Sequence, residues 1–304
     1  MSADPTASGL SYHHVDVFSR TAYAGNSLAV FVDPPALAAT QLSRITQELR
    51  HFESIFITRT AQAEYNARVF DLEGELDFAG HPVLGAAAVL HACSDDAAQA
   101  ETWWTFRLPA RTVRVRTSRS RDGHLSALLD QGRPEIVRIL MAERPTVAEA
   151  LGLMTDDLDP TLPLEIVSTG LRYLIVPVNS SDALEQARIQ HPNFGEFLRE
   201  FGAQFVYVLD AHALEGRHWN NDGVIEDVAT GSAAGCVGAY LRRHGLARDG
   251  AEIRLKQGRF VGRPSEIAVT AHGTADDVER VTVGGDVAIV GGGWLLKAPL
   301  SEMP

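Results

Sequence analysis

Phe78-Ala79-Gly80-His81-Pro82-Val83-Leu84-Gly85 runs into Ala86-Ala87-Ala88-Val89-Leu90, and half a chain later a second stretch has the same form. That second stretch is Glu226-Asp227-Val228-Ala229-Thr230-Gly231-Ser232-Ala233-Ala234-Gly235, running into Cys236-Val237-Gly238-Ala239-Tyr240-Leu241. Each reads as a strand, a tight glycine turn and the start of an alanine-rich helix. A helix start leaves backbone N–H groups without intrahelical partners and carries partial positive charge, so it can hold an anion. Shifting the chain by 151 positions lays Gly80 on Gly231, Ala88 on Ala239 and Leu90 on Leu241. Upstream, Arg68-Val69-Phe70 resembles Arg217-His218-Trp219 after a two-residue insertion. Chance likeness of two alanine-rich helices is the bland explanation. Duplication is the sharper one, and it predicts two helix starts turned into one cleft, a pocket for a small carboxylate-bearing molecule. His81 and Asp227 supply proton-handling groups at the two turns.

Composition narrows the partners. The 304 residues carry 27 basic and 39 acidic side chains, a formal charge of −12. That argues against nucleic acid as a partner. No apolar run is long enough to span a bilayer, so no membrane partner is expected. The stretch 1–9 lacks a hydrophobic signal core and reads as a loose tail, which makes the cytoplasm the expected location. Cys93 and Cys236 belong to no CxxC pair and read as buried thiols in a reducing compartment. His13-His14 lacks a metal-ligand partner set, and no phosphate-binding or dinucleotide-binding glycine pattern follows a strand. No cofactor and no metal are expected.

The first half alternates strands (His14–Phe18, Leu28–Val32, Ser54–Thr58, Asn66–Leu72) with helices over Leu42–Leu49 and Pro82–His91. Two strands are expected in Thr102–Thr117 and another over Leu125–Leu129. Gln131-Gly132-Arg133-Pro134 reads as a linker. Beyond it come a helix over Pro145–Leu153, strands over Leu164–Thr169, Tyr173–Val178 and Phe205–Asp210, and a helix over Ala183–Gln190. The helix Ala233–His244 ends at Gly245, and several strands fill Glu252–Leu296. The expected division is 1–130 with 131–304, the last strand being able to cross back to the first half.

Further stretches carry a resemblance: Val15-Asp16-Val17-Phe18, Ala24-Gly25-Asn26-Ser27-Leu28-Ala29-Val30, Glu53-Ser54-Ile55-Phe56, Gly74-Glu75-Leu76-Asp77, and Gln257-Gly258 with Gly262-Arg263-Pro264-Ser265. With the two glycine turns, the chain resembles the PhzF-like phenazine-biosynthesis isomerases, within the diaminopimelate epimerase-like fold. The resemblance implies an α/β fold of two similar halves, each a curved sheet or barrel around a central helix. It places the family's proton-shuttling glutamate on Glu53, its histidine on His81 and its aspartate on Asp227. The substrate-holding positions implied are Asn26, Gly80, Gly231, Ser232 and Phe52. Phe52 stands where the family has serine, and Val228 where it has proline. The family's named substrate is trans-2,3-dihydro-3-hydroxyanthranilate. The expected working form is a homodimer.

Each residue also has a plain structural reading. Glu53, before Ile55-Phe56-Ile57, could be a strand-edge carboxylate facing water. His81 could cap a helix, and Asp227 is stabilised near any helix start. Amino-acid epimerases of this fold use a cysteine at each glycine turn. Here Ala79 and Thr230 stand there, which favours a proton shift by one carboxylate. An epimerase or hydro-lyase acting on an amino-acid derivative is the alternative reaction. A non-catalytic small-molecule binding protein is the alternative from another class.

Overall fold

The computed structural model describes residues 9–94 and 99–300. Residues 1–8 of the expected tail lie outside the described residues. In chain order the elements are β1 (Leu10–Val17), β2 (Asn26–Val32), α1 (Ala39–Leu49), β3 (Glu53–Ala61), β4 (Glu64–Phe70), β5 (Glu75–Leu76), α2 (Gly80–Cys93), β6 (Glu101–Arg107), β7 (Thr112–Arg119) and β8 (Leu125–Gly132). There follow β9 (Glu135–Leu140), α3 (Arg144–Ala150), β10 (Leu164–Ser168), β11 (Arg172–Val178), α4 (Ser181–Gln186), α5 (Phe194–Phe201), β12 (Phe205–Asp210), β13 (Glu215–Arg217), α6 (Gly231–Arg243), β14 (Glu252–Gln257), β15 (Ser265–Gly273) and β16 (Val278–Leu295). The chain forms two compact units, Met1–Leu129 with Gly284–Pro304, and Asp130–Val283.

In the first unit the strands follow the order β1-β2-β3-β4-β6-β7-β8-β16, and β16 pairs back on β1, closing the sheet on itself. Two neighbouring pairs, β2/β3 and β4/β6, are parallel. Parallel neighbours need a crossover, which α1 and α2 supply. Helix α2 is buried from Gly80 through His91, as expected of a helix that is apolar on every side. Its seat is set by Gly85. A Cβ there would lie 2.5 Å from Leu28 Cδ2, 3.0 Å from Val17 Cγ2 and 3.1 Å from Val15 Cγ2, so only glycine lets α2 sit this low on β1 and β2. Strand residues alternate faces, so Ala29 and Phe31 point away from α2. They pack with Leu42 and Ile45 of α1 and with Leu10, Phe56 and Phe70. Each large apolar side chain so buried contributes about 1.5–3 kcal/mol.

The second unit repeats the plan. Its strands follow the order β9-β10-β11-β12-β13-β14-β15-β16. The pair β11/β12 is parallel across α4 and α5, and β13/β14 is parallel across α6. Antiparallel pairs β10/β11, β12/β13 and β14/β15 alternate with them, as β1/β2, β3/β4 and β6/β7 do in the first unit. Helix α6 is buried from Ala233 to Leu241 and packs on β10, β11 and β15. A separate apolar core, including Val147, Leu151, Leu174, Leu184, Phe194 and Leu198, lies under α3, α4 and α5. The architecture is the α/β one expected, two similar halves each built on a curved sheet and a central helix.

Three local expectations are corrected. Gln131 is not linker: β8 continues through Gly132, and the buried Gln131 amide donates to the Gly231 carbonyl at 2.9 Å. The helix expected over Ala183–Gln190 stops at Gln186, because the carbonyls of Leu184, Glu185 and Ala187 all accept from the Arg217 guanidinium. Helix α5 was not expected. It follows the spacing of Phe194, Phe197, Leu198 and Phe201 and ends on the left-handed Gly202.

Candidate active site

In the first unit the expected residues fall at the ends of neighbouring elements. Gly25 takes a left-handed conformation (φ +74), and a Cβ on it would meet the Val17 carbonyl at 2.5 Å. The chain therefore turns sharply into β2 at the buried Asn26, which pairs with Val17. The parallel register of β2 and β3 sets Leu28 beside Glu53, the first residue of β3. Leu28 also receives Gly85 of α2, so the helix and the start of β3 are both placed against the same residue of β2.

His81 is the second residue of α2. The residue in the capping position is Ala79, which has no side-chain acceptor, so His81 does not cap the helix. Glu53 and His81 are 9% and 6% exposed. Glu53 is not a strand-edge carboxylate facing water. Its Oε2 lies 3.7 Å from His81 Nδ1, a separation that a small side-chain rotation converts to a hydrogen bond. A carboxylate and an imidazole so placed can exchange a proton with a ligand and with each other. Phe52, in the turn just before Glu53, is partly exposed.

In the second unit the carboxylate of Asp227 accepts from the Thr230 hydroxyl at 2.6 Å. Thr230 is the capping residue of α6 but offers the helix no side-chain acceptor. Asp227 thus braces the turn and does not cap the helix. Gln257 clamps the same turn. Its amide donates to Asp227 O at 2.9 Å and to Thr230 Oγ1 at 3.0 Å, and its carbonyl accepts from Thr230 N and from the Tyr207 hydroxyl. Burial, with the charges of Asp227 and Glu215, drives the Tyr207 phenol well above its usual range and keeps it a neutral donor. Gly258 follows in a left-handed conformation (φ +84), where a Cβ would meet the Arg263 and Val228 carbonyls at 2.4 and 2.6 Å. The residues of the Gln257-Gly258 and Arg263 stretches therefore hold the Asp227 turn.

Other bracing residues carry no local signature. Arg217 forms a two-pronged bond to Glu226 at 3.0 and 2.7 Å, with its guanidinium over the rings of Trp219 and Phe260. The buried His218 donates from Nδ1 to the Val206 carbonyl at 2.8 Å. Burial lowers its pKa, partly offset by Asp227, so the ring is neutral near pH 7. Tyr173 meets Ser232 hydroxyl to hydroxyl at 2.8 Å, and Thr169 holds Gln131 at 2.8 Å.

The thiols stand apart from the turns. Cys236 is buried within α6, where burial pushes its pKa to about 12. Cys93 is exposed, contrary to expectation, because it is the last residue of α2, whose burial ends at His91. That is about 20 Å along the helix from Gly80. Burial of part of the thiol raises its pKa as well. Neither is a thiolate at neutral pH.

The family model for phenazine biosynthesis-like proteins, PhzC-PhzF, matches residues 15–293. The chain belongs to this family. The trans-2,3-dihydro-3-hydroxyanthranilate isomerase of Pseudomonas chlororaphis, a PhzF relative, is 31% identical over 294 residues, 93% of this chain and 99% of that one. A solved structure from Pseudomonas aeruginosa, described as a predicted epimerase, is 43% identical, with a TM-score of 0.87 over 95% of this chain and 100% of that one. A PhzF-family protein of Bacillus anthracis is 22% identical and shares the fold, with a TM-score of 0.81 over 94% and 99% of the two chains. Among the described residues, no helix is long and apolar enough to cross a membrane.

Proposed function

We propose that this PhzF-family protein is a cofactor-independent isomerase that moves a proton, and with it a double bond, within a small carboxylic acid. Glu53 takes a proton from an acidic carbon, the electron pair shifts through the adjoining double bond, and the same carboxyl returns the proton at a second carbon on the same face. Atoms and charge balance without an added reactant. His81 donates a hydrogen bond to the oxygen on which charge develops. The observation that carries this reading is the Glu53–His81 pair, 3.7 Å apart and almost sealed from water.

Asn26, Gly80, Gly231 and Ser232 take substrate-holding roles and Asp227 an orienting role, all supported by the family motif. The name of the 31% identical relative makes trans-2,3-dihydro-3-hydroxyanthranilate the first substrate to try. Phe52 cannot hydrogen-bond a ligand as the family's serine can, which favours a ligand less polar at that point. A homodimer is the expected working form, an expectation carried by the family resemblance, and the cytoplasm is its expected location, from the polar stretch 1–9.

The epimerase reading draws support from the description of the 43% identical relative. Against it stand Ala79 and Thr230 at the turns and two thiols whose pKa values are raised. The test is Glu53→Gln, which is nearly isosteric. It should lower kcat by about 10²–10⁴-fold, the usual worth of one acid–base group, and leave substrate affinity and melting temperature close to wild type. A variant with near-normal kcat would contradict the proposal.

A further inference from the structure

We propose that Tyr173 is a positioning residue that holds Ser232 as a hydrogen-bond donor toward the carboxylate of the ligand. The inference rests on the reading that Ser232 contacts substrate, and it adds the residue that sets the direction of that contact.

Tyr173 Oη and Ser232 Oγ are 2.8 Å apart. Tyr173 is buried, and its ring is held by two others, tilted against Phe205 at 5.4 Å and edge-on to His218 at 5.5 Å. Ser232 is partly exposed in the first turn of α6. That turn is fixed from behind: the Gln131 amide holds the Gly231 carbonyl, and Thr169 Oγ1 lies 3.3 Å from the Ser232 carbonyl. The Ser232 hydroxyl therefore has a fixed origin and a fixed neighbour.

Each hydroxyl carries one hydrogen, so one member of the pair donates and the other accepts. A phenol is a far stronger acid than an aliphatic alcohol and the better donor. Tyr173 donates to Ser232. Ser232 then has an oxygen lone pair engaged and its own hydrogen left over, and toward a ligand it acts as a donor. A donor in the first turn of a helix, beside backbone N–H groups and the positive end of the helix dipole, suits an anionic oxygen. Were the direction reversed, Ser232 would offer that anion a lone pair.

The experiment measures KM and kcat for trans-2,3-dihydro-3-hydroxyanthranilate in wild type, Tyr173→Phe, Ser232→Ala and the double variant. Tyr173→Phe keeps the ring and its packing, and melting curves confirm that each variant is folded. The expected result is a KM raised about 5- to 30-fold in each single variant, with kcat within about 3-fold, the effect of one directed hydrogen bond on binding. The double variant should be no worse than Ser232→Ala alone, since Tyr173 acts through Ser232. A wild-type KM in Tyr173→Phe while Ser232→Ala is impaired, or fully multiplying effects, would overturn the inference and leave Tyr173 as packing. A wild-type KM in Ser232→Ala would instead overturn the reading of Ser232 on which the inference rests.

Discussion

Glu53 Oε2 and His81 Nδ1 lie 3.7 Å apart, although one opens a strand and the other is the second residue of a helix. Leu28 brings them together: it pairs with Glu53 across the parallel strands and fills the space left by Gly85 of the helix. A barrel that closes around an alanine-rich helix thus sets a carboxylate against an imidazole, with little water to compete for the proton.

The thiols should be dispensable. Cys93→Ala with Cys236→Ala is expected to retain kcat within about 3-fold, with a small loss of stability from the cavity at Cys236. Steady-state turnover and a melting curve check this. An inactive, folded double variant would revive the two-thiol epimerase reading.

Arg217 should matter more than any surface charge. Removing it strands the buried Glu226 carboxylate and three carbonyls at the end of α4, those of Leu184, Glu185 and Ala187. Arg217→Met is expected to cost about 3–5 kcal/mol by chemical denaturation, the usual cost of leaving a buried charge unpaired. Because Glu226 adjoins Asp227, activity measured well below the melting temperature should fall as well. A loss under about 1 kcal/mol would mean that the pair is solvated in solution.

Stability should fall in mild acid. Burial holds the pKa of His218 below its ordinary value of 6.5. Above that value the ring is neutral in the folded and the unfolded chain. Below it the unfolded chain binds a proton that the folded chain does not, so folding free energy drops, by up to about 1.4 kcal/mol per pH unit. His218→Asn keeps a donor for Val206 and cannot titrate. Denaturation between pH 7.5 and 5.5 should show a shallower loss in the variant than in wild type. His13, lowered by burial too, adds the same slope to both proteins. Equal slopes would contradict the account.

The glycine turns, both central helices and most strands were legible because each rests on local chemistry. Gly85 permits close approach, Pro82 suits a first helical turn, and apolar runs mark the strands. Gln257 lay in a stretch that carried the resemblance, but what it and the other bracing groups hold was not legible, since their partners are remote in sequence. Gln257 serves Asp227 and Thr230, Tyr173 serves Ser232, and Gln131 serves Gly231. Gln131 beside a glycine and a proline reads as loop, and only the packed unit shows it as a buried clamp. For α5 the signal was present in the spacing of its phenylalanines, with Gly202 as the stop.

The most direct test follows the proton. Substrate deuterated at the carbon that loses its hydrogen is turned over by the wild-type protein in ordinary water, and the product is read by NMR. A single carboxyl shuttle predicts a product with its double bond moved and part of the deuterium on the newly saturated carbon, the rest being exchanged to solvent during the dwell on Glu53. Deuterium lost from its original carbon with the double bond still in place would contradict the account.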